Sequence, residues 1–221
     1  MYIQITTRCN MSCEHCHYAC GSQGQNMSAK TFKAALALAE IDGSVTIGGG
    51  EPTLHPNFWH FLMDAIVACD DVFMVTNGST TGHALKLARL AERGVIGCAL
   101  SQDYYHDPID YKVIQAFTRK DRTYSRNDND DLREIRDVTT NEERLSLFRD
   151  PADGGNEDEC ICGGLFIAPN GDVKPCGCRT SPVIGHVSSF DLCAHINARE
   201  DSNGCYKDEA MYCNQEQEAE A

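Results

Sequence analysis

Apolar and polar positions follow two rhythms along the first 150 residues. Short β-branched runs of period two exchange with longer stretches whose apolar residues recur every three or four positions. That exchange is the pattern of a parallel sheet with crossover helices. Residues 2–6 form the first predicted strand. Ser28 caps a helix running to residue 41, with Phe32, Leu36 and Ala39 on one face. Strand two covers 45–47, a helix 56–67, strand three 72–75 and a helix 81–92, stopped by Gly94. Strand four covers 95–100, a helix 111–117 and strand five 132–138, after a polar loop over 119–131. A short further helix is expected at 142–148.

The pattern then changes. Residues 150–156 read Asp-Pro-Ala-Asp-Gly-Gly-Asn, a loop-forming stretch that marks a boundary. Two short apolar runs beyond it flank Asn170-Gly171, a strong two-residue hairpin signal. Pro169 and Pro175 place these strands at an edge or end them early. The expected organisation is an α/β unit over 1–149, a cysteine-rich unit over 150–213 and a frayed acidic tail over 214–221.

A chain of 221 residues carries one sizeable core and a small appendage. It falls short of the roughly 250 residues typical of a complete eightfold α/β barrel. Nineteen basic against 33 acidic residues give a net charge of −14, which counts against intact duplex DNA and anionic membranes as partners. The basic residues between 119 and 136 are interrupted by Asp128, Asp130, Asp131 and Glu134, as on a salt-bridged surface. No apolar run is long enough to span a membrane.

Thirteen cysteines, with nothing like an export signal before the first, point to metal chemistry in a reducing cytoplasm rather than to disulfides. Cys9, Cys13 and Cys16 are spaced C-x3-C-x2-C on the loop expected after strand one. Such a loop can converge three thiolates on one [4Fe–4S] cluster, which ordinarily takes four. Three ligands leave one iron open, as catalytic metal sites do. Zinc held by the same cysteines with His15 or His17 also satisfies the spacing. The downstream Gly48-Gly49-Gly50-Glu51-Pro52 favours the cluster, since zinc needs no such partner. Its glycines permit positive φ and close approach to a ligand, and Glu51 can pair with an ammonium group.

Together the two motifs resemble the radical S-adenosylmethionine (SAM) superfamily. The resemblance implies a shortened, partial parallel β/α barrel over residues 1–140, with a small C-terminal β-hairpin iron–sulfur module. It implies that Cys9, Cys13 and Cys16 hold a [4Fe–4S] cluster whose open iron takes SAM. Reductive cleavage of SAM then yields a 5′-deoxyadenosyl radical that removes hydrogen from an unactivated carbon. By the same resemblance Gly49, Gly50 and Glu51 receive the amino group of SAM, Asn77 lies near its ribose, and Ser101 near its methionine or ribose groups. His15 stands near adenine or makes a supporting hydrogen bond. Arg133 and Arg136 are three apart on one strand and point to opposite faces. One is expected at the SAM carboxylate, and Arg133 is assigned that role. Tyr104, Tyr105, His106 and Asp107 either line a substrate pocket or pack a loop. Cys20, Cys69 and Cys98 read as buried free thiols.

The spacing of Cys160, Gly171 and Cys176 resembles the opening of SPASM/twitch extensions, which hold auxiliary [4Fe–4S] clusters. Cys176-Gly177-Cys178 departs from the usual C-x2-C. A single auxiliary cluster on Cys160, Cys162, Cys176 and Cys178 is therefore expected, with zinc in the same sulfurs as the alternative. A flavodoxin- or ferredoxin-type donor would supply electrons. The expected substrate is an amino-acid residue of a peptide or protein. The alternatives are a small molecule or amino-acid-bearing modified nucleotide, as in phage DNA hypermodification, and a non-enzymatic iron–sulfur or zinc module.

Overall fold

The computed structural model describes residues 1–118, 131–137, 164–177 and 181–195. Strands and helices alternate as β1 (Tyr2–Thr6), α1 (Ala29–Asp42), β2 (Ser44–Gly49), α2 (Phe58–Ala68), β3 (Asp71–Thr76), α3 (Thr81–Glu92), β4 (Gly97–Ser101), α4 (Tyr111–Phe117) and β5 (Arg133–Arg136). Neighbouring strands in this set pair parallel, in the order β5-β4-β3-β2-β1. All five therefore point their C-terminal ends the same way. In a β/α architecture that end carries the chemistry.

Local signals explain the helices. Ser28 Oγ accepts from the Thr31 N–H at 3.0 Å, and Gly43 ends α1 at φ +72°, a conformation that suits glycine. Phe32, Ala35, Leu36 and Ala39 turn inward at helical spacing. Phe32 stacks on Phe61 of α2 with ring centroids 3.9 Å apart. The α2 helix begins at Phe58, later than the sequence predicts, because a short 3-10 turn over Pro52–Leu54 intervenes. Strand β4 begins at Gly97 rather than 95. Gly97 lies directly opposite Phe73 of β3, and a Cβ there would fall 2.4 Å from that ring.

The predicted hairpin forms around Asn170-Gly171, joining β6 (Phe166–Ile167) to β7 (Asp172–Lys174), with β8 (Gly185–His186) following. Its setting differs from expectation. Strand β6 pairs parallel to β1, matching Tyr2 with Phe166 and Ile3 with Ile167, and so extends the main sheet. The described residues thus build one eight-stranded sheet in the order β5-β4-β3-β2-β1-β6-β7-β8. Leu165, Ile167, Val173, Val187 and Leu192 join the same core as Ile3, Ile5 and Ile47. The loop over 119–130, the helix expected at 142–148, the boundary at 150–156 and the tail over 214–221 lie outside the described residues. No helix among the described residues is long and apolar enough to cross a membrane.

The Phe32–Phe61 contact ties α1 to α2 over the sheet. Phe32→Ala should lower unfolding free energy by about 3–5 kcal/mol, read from denaturant midpoints at unchanged slope. A loss under about 1 kcal/mol would mean that the two helices are not coupled through this stack.

Candidate active site

The loop leaving β1 folds back on its own strand. Cys9 N donates to the Gly21 carbonyl at 3.0 Å, Gly21 N to Thr7 at 3.2 Å, and Thr7 N to Gln25 at 2.8 Å. This short ladder holds Cys9, Cys13 and Cys16 on the wall of one cavity of about 550 Å³, within the usual range for small-ligand sites. Gly49, Gly50, Asn77, Ser101 and His15 share that wall. Eight sequence-assigned positions are thus brought together from the ends of four strands.

Nearby donors suit charged sulfur. Met11 N lies 3.4 Å from Cys9 Sγ, and Asn77 Nδ2 is 3.7 Å from the same atom. Cys20 N lies 3.4 Å from Cys16 Sγ. Hydrogen bonds, first that of the Cys20 thiol, hold the Cys16 thiol well below its ordinary range. Burial, then the neighbouring Cys9 and Cys16, push Cys13 up to about 11. Burial also raises Cys9. A cation that binds three thiolates relieves both the burial cost and this mutual repulsion.

The glycine turn works differently from expectation. Gly48, Gly49 and Gly50 do not take positive φ. They are small because backbone meets backbone. A Cβ on Gly49 would lie 2.6 Å from the Thr6 carbonyl oxygen, and one on Gly50 would lie 2.5 Å from that of Arg8. Gly50 N donates to Thr6 and Glu51 N to Arg8, each at 2.8 Å. The turn is thereby welded to the cysteine loop.

Glu51 turns its side chain into the interior. Its side chain is fully buried and does not line the cavity. Oε1 accepts from Thr53 N (3.0 Å), Thr53 Oγ1 (2.6 Å) and Thr76 Oγ1 (3.0 Å), and Oε2 accepts from Asn77 N at 2.7 Å. These bonds join the turn after β2 to the end of β3. They occupy the carboxylate with protein donors rather than a ligand's ammonium. Burial raises its pKa, against the pull of those bonds.

Arg133 also faces away from the cavity. Its guanidinium is held by Asp131 at 2.6 Å and by the Ala116 carbonyl, at the start of β5 and away from the cavity. Arg136, at the other end of the strand, lines the cavity instead, together with Glu134. Residues 134 and 136 share a face and 133 does not.

Asp103 stands two residues beyond Ser101, past the end of β4. The structure makes it a hub. Its carboxylate is buried, accepts from Tyr105 N at 3.0 Å and binds His106 Nδ1 at 2.7 Å. His15 Nε2 lies 3.8 Å from its other oxygen, and the His15 ring packs on Tyr105 at 4.6 Å. Burial lowers the His15 pKa, opposed by Asp103. Tyr104 points away and is 87% exposed. The strand-borne floor of the cavity, Tyr2, Thr46, Phe73 and Val75, was not singled out from the sequence. The signal lay in the inward register of each strand.

Cys176 is described and half-buried; Cys160, Cys162 and Cys178 lie outside the described residues. The segment carrying Cys176 reaches the cysteine loop. His17 Nε2 bonds the Gly177 carbonyl at 2.9 Å, and Tyr18 stacks on Phe166 at 5.2 Å.

Comparison with known proteins agrees with this geometry. The Radical SAM superfamily model matches residues 3–146. A mycofactocin maturase from Mycobacterium ulcerans is 30% identical over 104 residues, 45% of this chain and 28% of its own length. A probable GTP 3′,8-cyclase from Methanopyrus kandleri is 33% identical over 120 residues, 53% of this chain and 37% of its own. The chain thus spans about a third of these relatives. Among solved structures, BtrN in complex with AdoMet and 2-DOIA superposes with a TM-score of 0.57 at 14% identity, over 100% of this chain and 88% of that one. The anSMEcpe structure with bound AdoMet and Cp18Cys peptide gives 0.53 at 14%, over 86% and 78%. At such identities the superpositions establish a shared fold.

Glu51 yields a pH-dependent prediction. A carboxyl whose folded pKa is raised contributes its full stability below the ordinary value of 4.5. That contribution is lost as pH rises through the folded value. Glu51→Gln should cost about 1–3 kcal/mol at low pH, because the amide cannot accept from every donor. The gap between wild type and variant should narrow as pH is raised from 4.5. Chemical denaturation across pH measures this, and a constant gap would refute the raised pKa.

Proposed function

The chain belongs to the radical SAM superfamily, and from that premise we propose that it cleaves SAM at a cluster held by Cys9, Cys13 and Cys16 in order to modify an amino-acid residue of a peptide or protein. The observation that carries this reading is the convergence of three thiols and the glycine turn on one cavity. The thiols fit a cluster: they share a wall, receive N–H donors and, among the described residues, take no fourth cysteine from that wall. When bound, the cluster supplies the electron that cleaves SAM to methionine and the hydrogen-abstracting 5′-deoxyadenosyl group.

This chain's own residues bind and orient. The N–H groups of Gly50 and Glu51 are engaged by the cysteine loop. The carbonyls of Gly49 and Gly50 are then the groups of the turn suited to an ammonium. Arg136 replaces Arg133 as partner for the SAM carboxylate. Asn77, with its N–H fixed by Glu51 and its amide near Cys9, is positioned for the ribose, and Ser101 for the next polar group along. His15, Tyr105 and the Asp103–His106 pair form the rim that receives the base.

A peptide substrate is supported by the peptide in the anSMEcpe structure. A small-molecule substrate is the second reading, favoured by the fuller superposition on BtrN with 2-DOIA. An auxiliary cluster on Cys160, Cys162, Cys176 and Cys178 is part of the proposal. The contact of His17 with Gly177 supports it by bringing the Cys176 segment to the cavity mouth. A ferredoxin- or flavodoxin-type donor completes the scheme.

Anaerobically reconstituted protein, given SAM and strong reductant, should release 5′-deoxyadenosine, and changing Cys9, Cys13 and Cys16 to Ala should abolish release. No release from the wild type would overturn the enzymatic reading. About four irons left in the triple variant would support an auxiliary cluster, whereas near zero would remove it. Arg136→Ala should weaken SAM binding about tenfold, roughly 1.4 kcal/mol, with Arg133→Ala near wild type.

A further inference from the structure

Cross-strand register sorts the cavity-facing residues into layers. The lowest runs Tyr2, Thr46, Phe73 and Gly97, matched strand to strand from β1 to β4. The next runs Val75, Ala99 and Glu134. Above it Ser101 is matched with Arg136, at the level of the groups assigned to SAM. Layers in a β/α barrel ordinarily fill its interior with bulky side chains. The middle layer here, with Ala99 between its neighbours, is too thin to do so, and Val75 and Glu134 both line the cavity. Two rings form the floor beneath it. A Cβ on Gly48 would collide with the Tyr2 hydroxyl, and one on Gly97 with the Phe73 ring. Glycine at these positions leaves each ring room to lie across the neighbouring strand.

Glu134 has no part in the scheme above. It lies two residues before Arg136 on the same face, roughly 7 Å deeper along the strand. Among the described residues no ion pair engages it, whereas Arg133 on the other face is held by Asp131 and Glu92. A second cavity of about 210 Å³ continues below the floor and shares Thr46, Phe73 and Glu134 with the first. Asp71 and Glu134 line that second cavity, and no lysine or arginine does among the described residues. A carboxylate beside aromatic faces is the chemistry that recognises an organic cation, since ring quadrupole and charge act in the same sense. We propose that the space beneath the SAM layer is a substrate site for an ammonium or guanidinium carried on an aliphatic stem, with Glu134 as counter-ion and the Tyr2 and Phe73 rings as floor. In the peptide reading the residue modified is then a basic one. In the small-molecule reading the substrate is an amine.

The inference rests on the SAM-cleaving reading, and its test keeps the two apart. Binding of N-acetyl-lysine methylamide and of N-acetylnorleucine methylamide to the reconstituted full chain with SAM is followed by ligand-observed NMR titration. The two probes share an aliphatic stem and differ by the ammonium. The lysine probe should bind about tenfold more tightly. Glu134→Gln should erase that preference, Glu134→Asp should keep most of it, and Phe73→Leu should reduce it about threefold. n-Pentylamine, which lacks the peptide groups, assigns the source. Weaker binding than the lysine probe points to a peptide, and equal or tighter binding to a small amine. Equal binding of the lysine and norleucine probes, a preference that survives Glu134→Gln or Phe73→Leu undiminished, or loss of SAM binding in Glu134→Gln would each overturn the site. Failure of the wild type to release 5′-deoxyadenosine would instead refute the SAM reading, whatever the probes show.

Discussion

A single desolvated carboxylate holds this site in register. Glu51 leaves the sheet at the end of β2, turns its side chain inward and accepts four hydrogen bonds from Thr53, Thr76 and Asn77. Its own N–H reaches back to Arg8 at the root of the cysteine loop. The ends of β1, β2 and β3 therefore meet at one residue. Burying a charge without partners is prohibitive, so Glu51 is tolerable only while all these neighbours stay in place. That conditional stability makes the arrangement all-or-none, and the thiol wall inherits its geometry from it.

Electrostatics around the cavity follow from this frame. The three thiols do not stand in equal surroundings. Cys9 and Cys16 receive donors from the loop backbone, and Asn77 adds an amide to Cys9. Cys13 is left to burial and to repulsion from its neighbours. Opposite them Asp103 gathers two imidazoles, and Arg136 brings a cation up from β5. In a chain with net charge −14, the cavity thus sets three thiols against a rim that carries both signs, Arg136 beside Glu134 and two imidazoles on Asp103. That balance suits a ligand carrying both charges.

Much of the fold was legible because each early element carries its own stop and start signals. Ser28 and the period-two runs placed α1 and the strands to within a few residues. The cysteine loop and glycine turn were legible as chemistry, since few residue types serve those ends at that spacing. The direction of the Glu51 side chain was not legible, because sequence shows a carboxylate but not where it points. Here the 3-10 turn after it presents N–H groups that an inward side chain caps. Which arginine of β5 faces the cavity was not legible, because the register of β5 depends on where the strand begins, beside the Asp131 clamp on Arg133. The pairing of β6 with β1 was illegible for another reason. Nothing local in either strand names a partner more than 160 residues away.

That distant pairing shapes how the chain is made. Strand β1 lies between β2 and β6, so the strand feeding the cysteine loop is an interior one in the finished sheet. On the ribosome it is an edge for most of synthesis, because Phe166 emerges long after Tyr2. During that interval β1 exposes an unpaired ladder of N–H and C=O groups. The loop above it is open on the side that Phe166 and Gly177 later cover. Strand β1 thus gains its second ladder, and the cysteine loop its cover from Phe166 and Gly177, only after every other strand of the parallel set has been made.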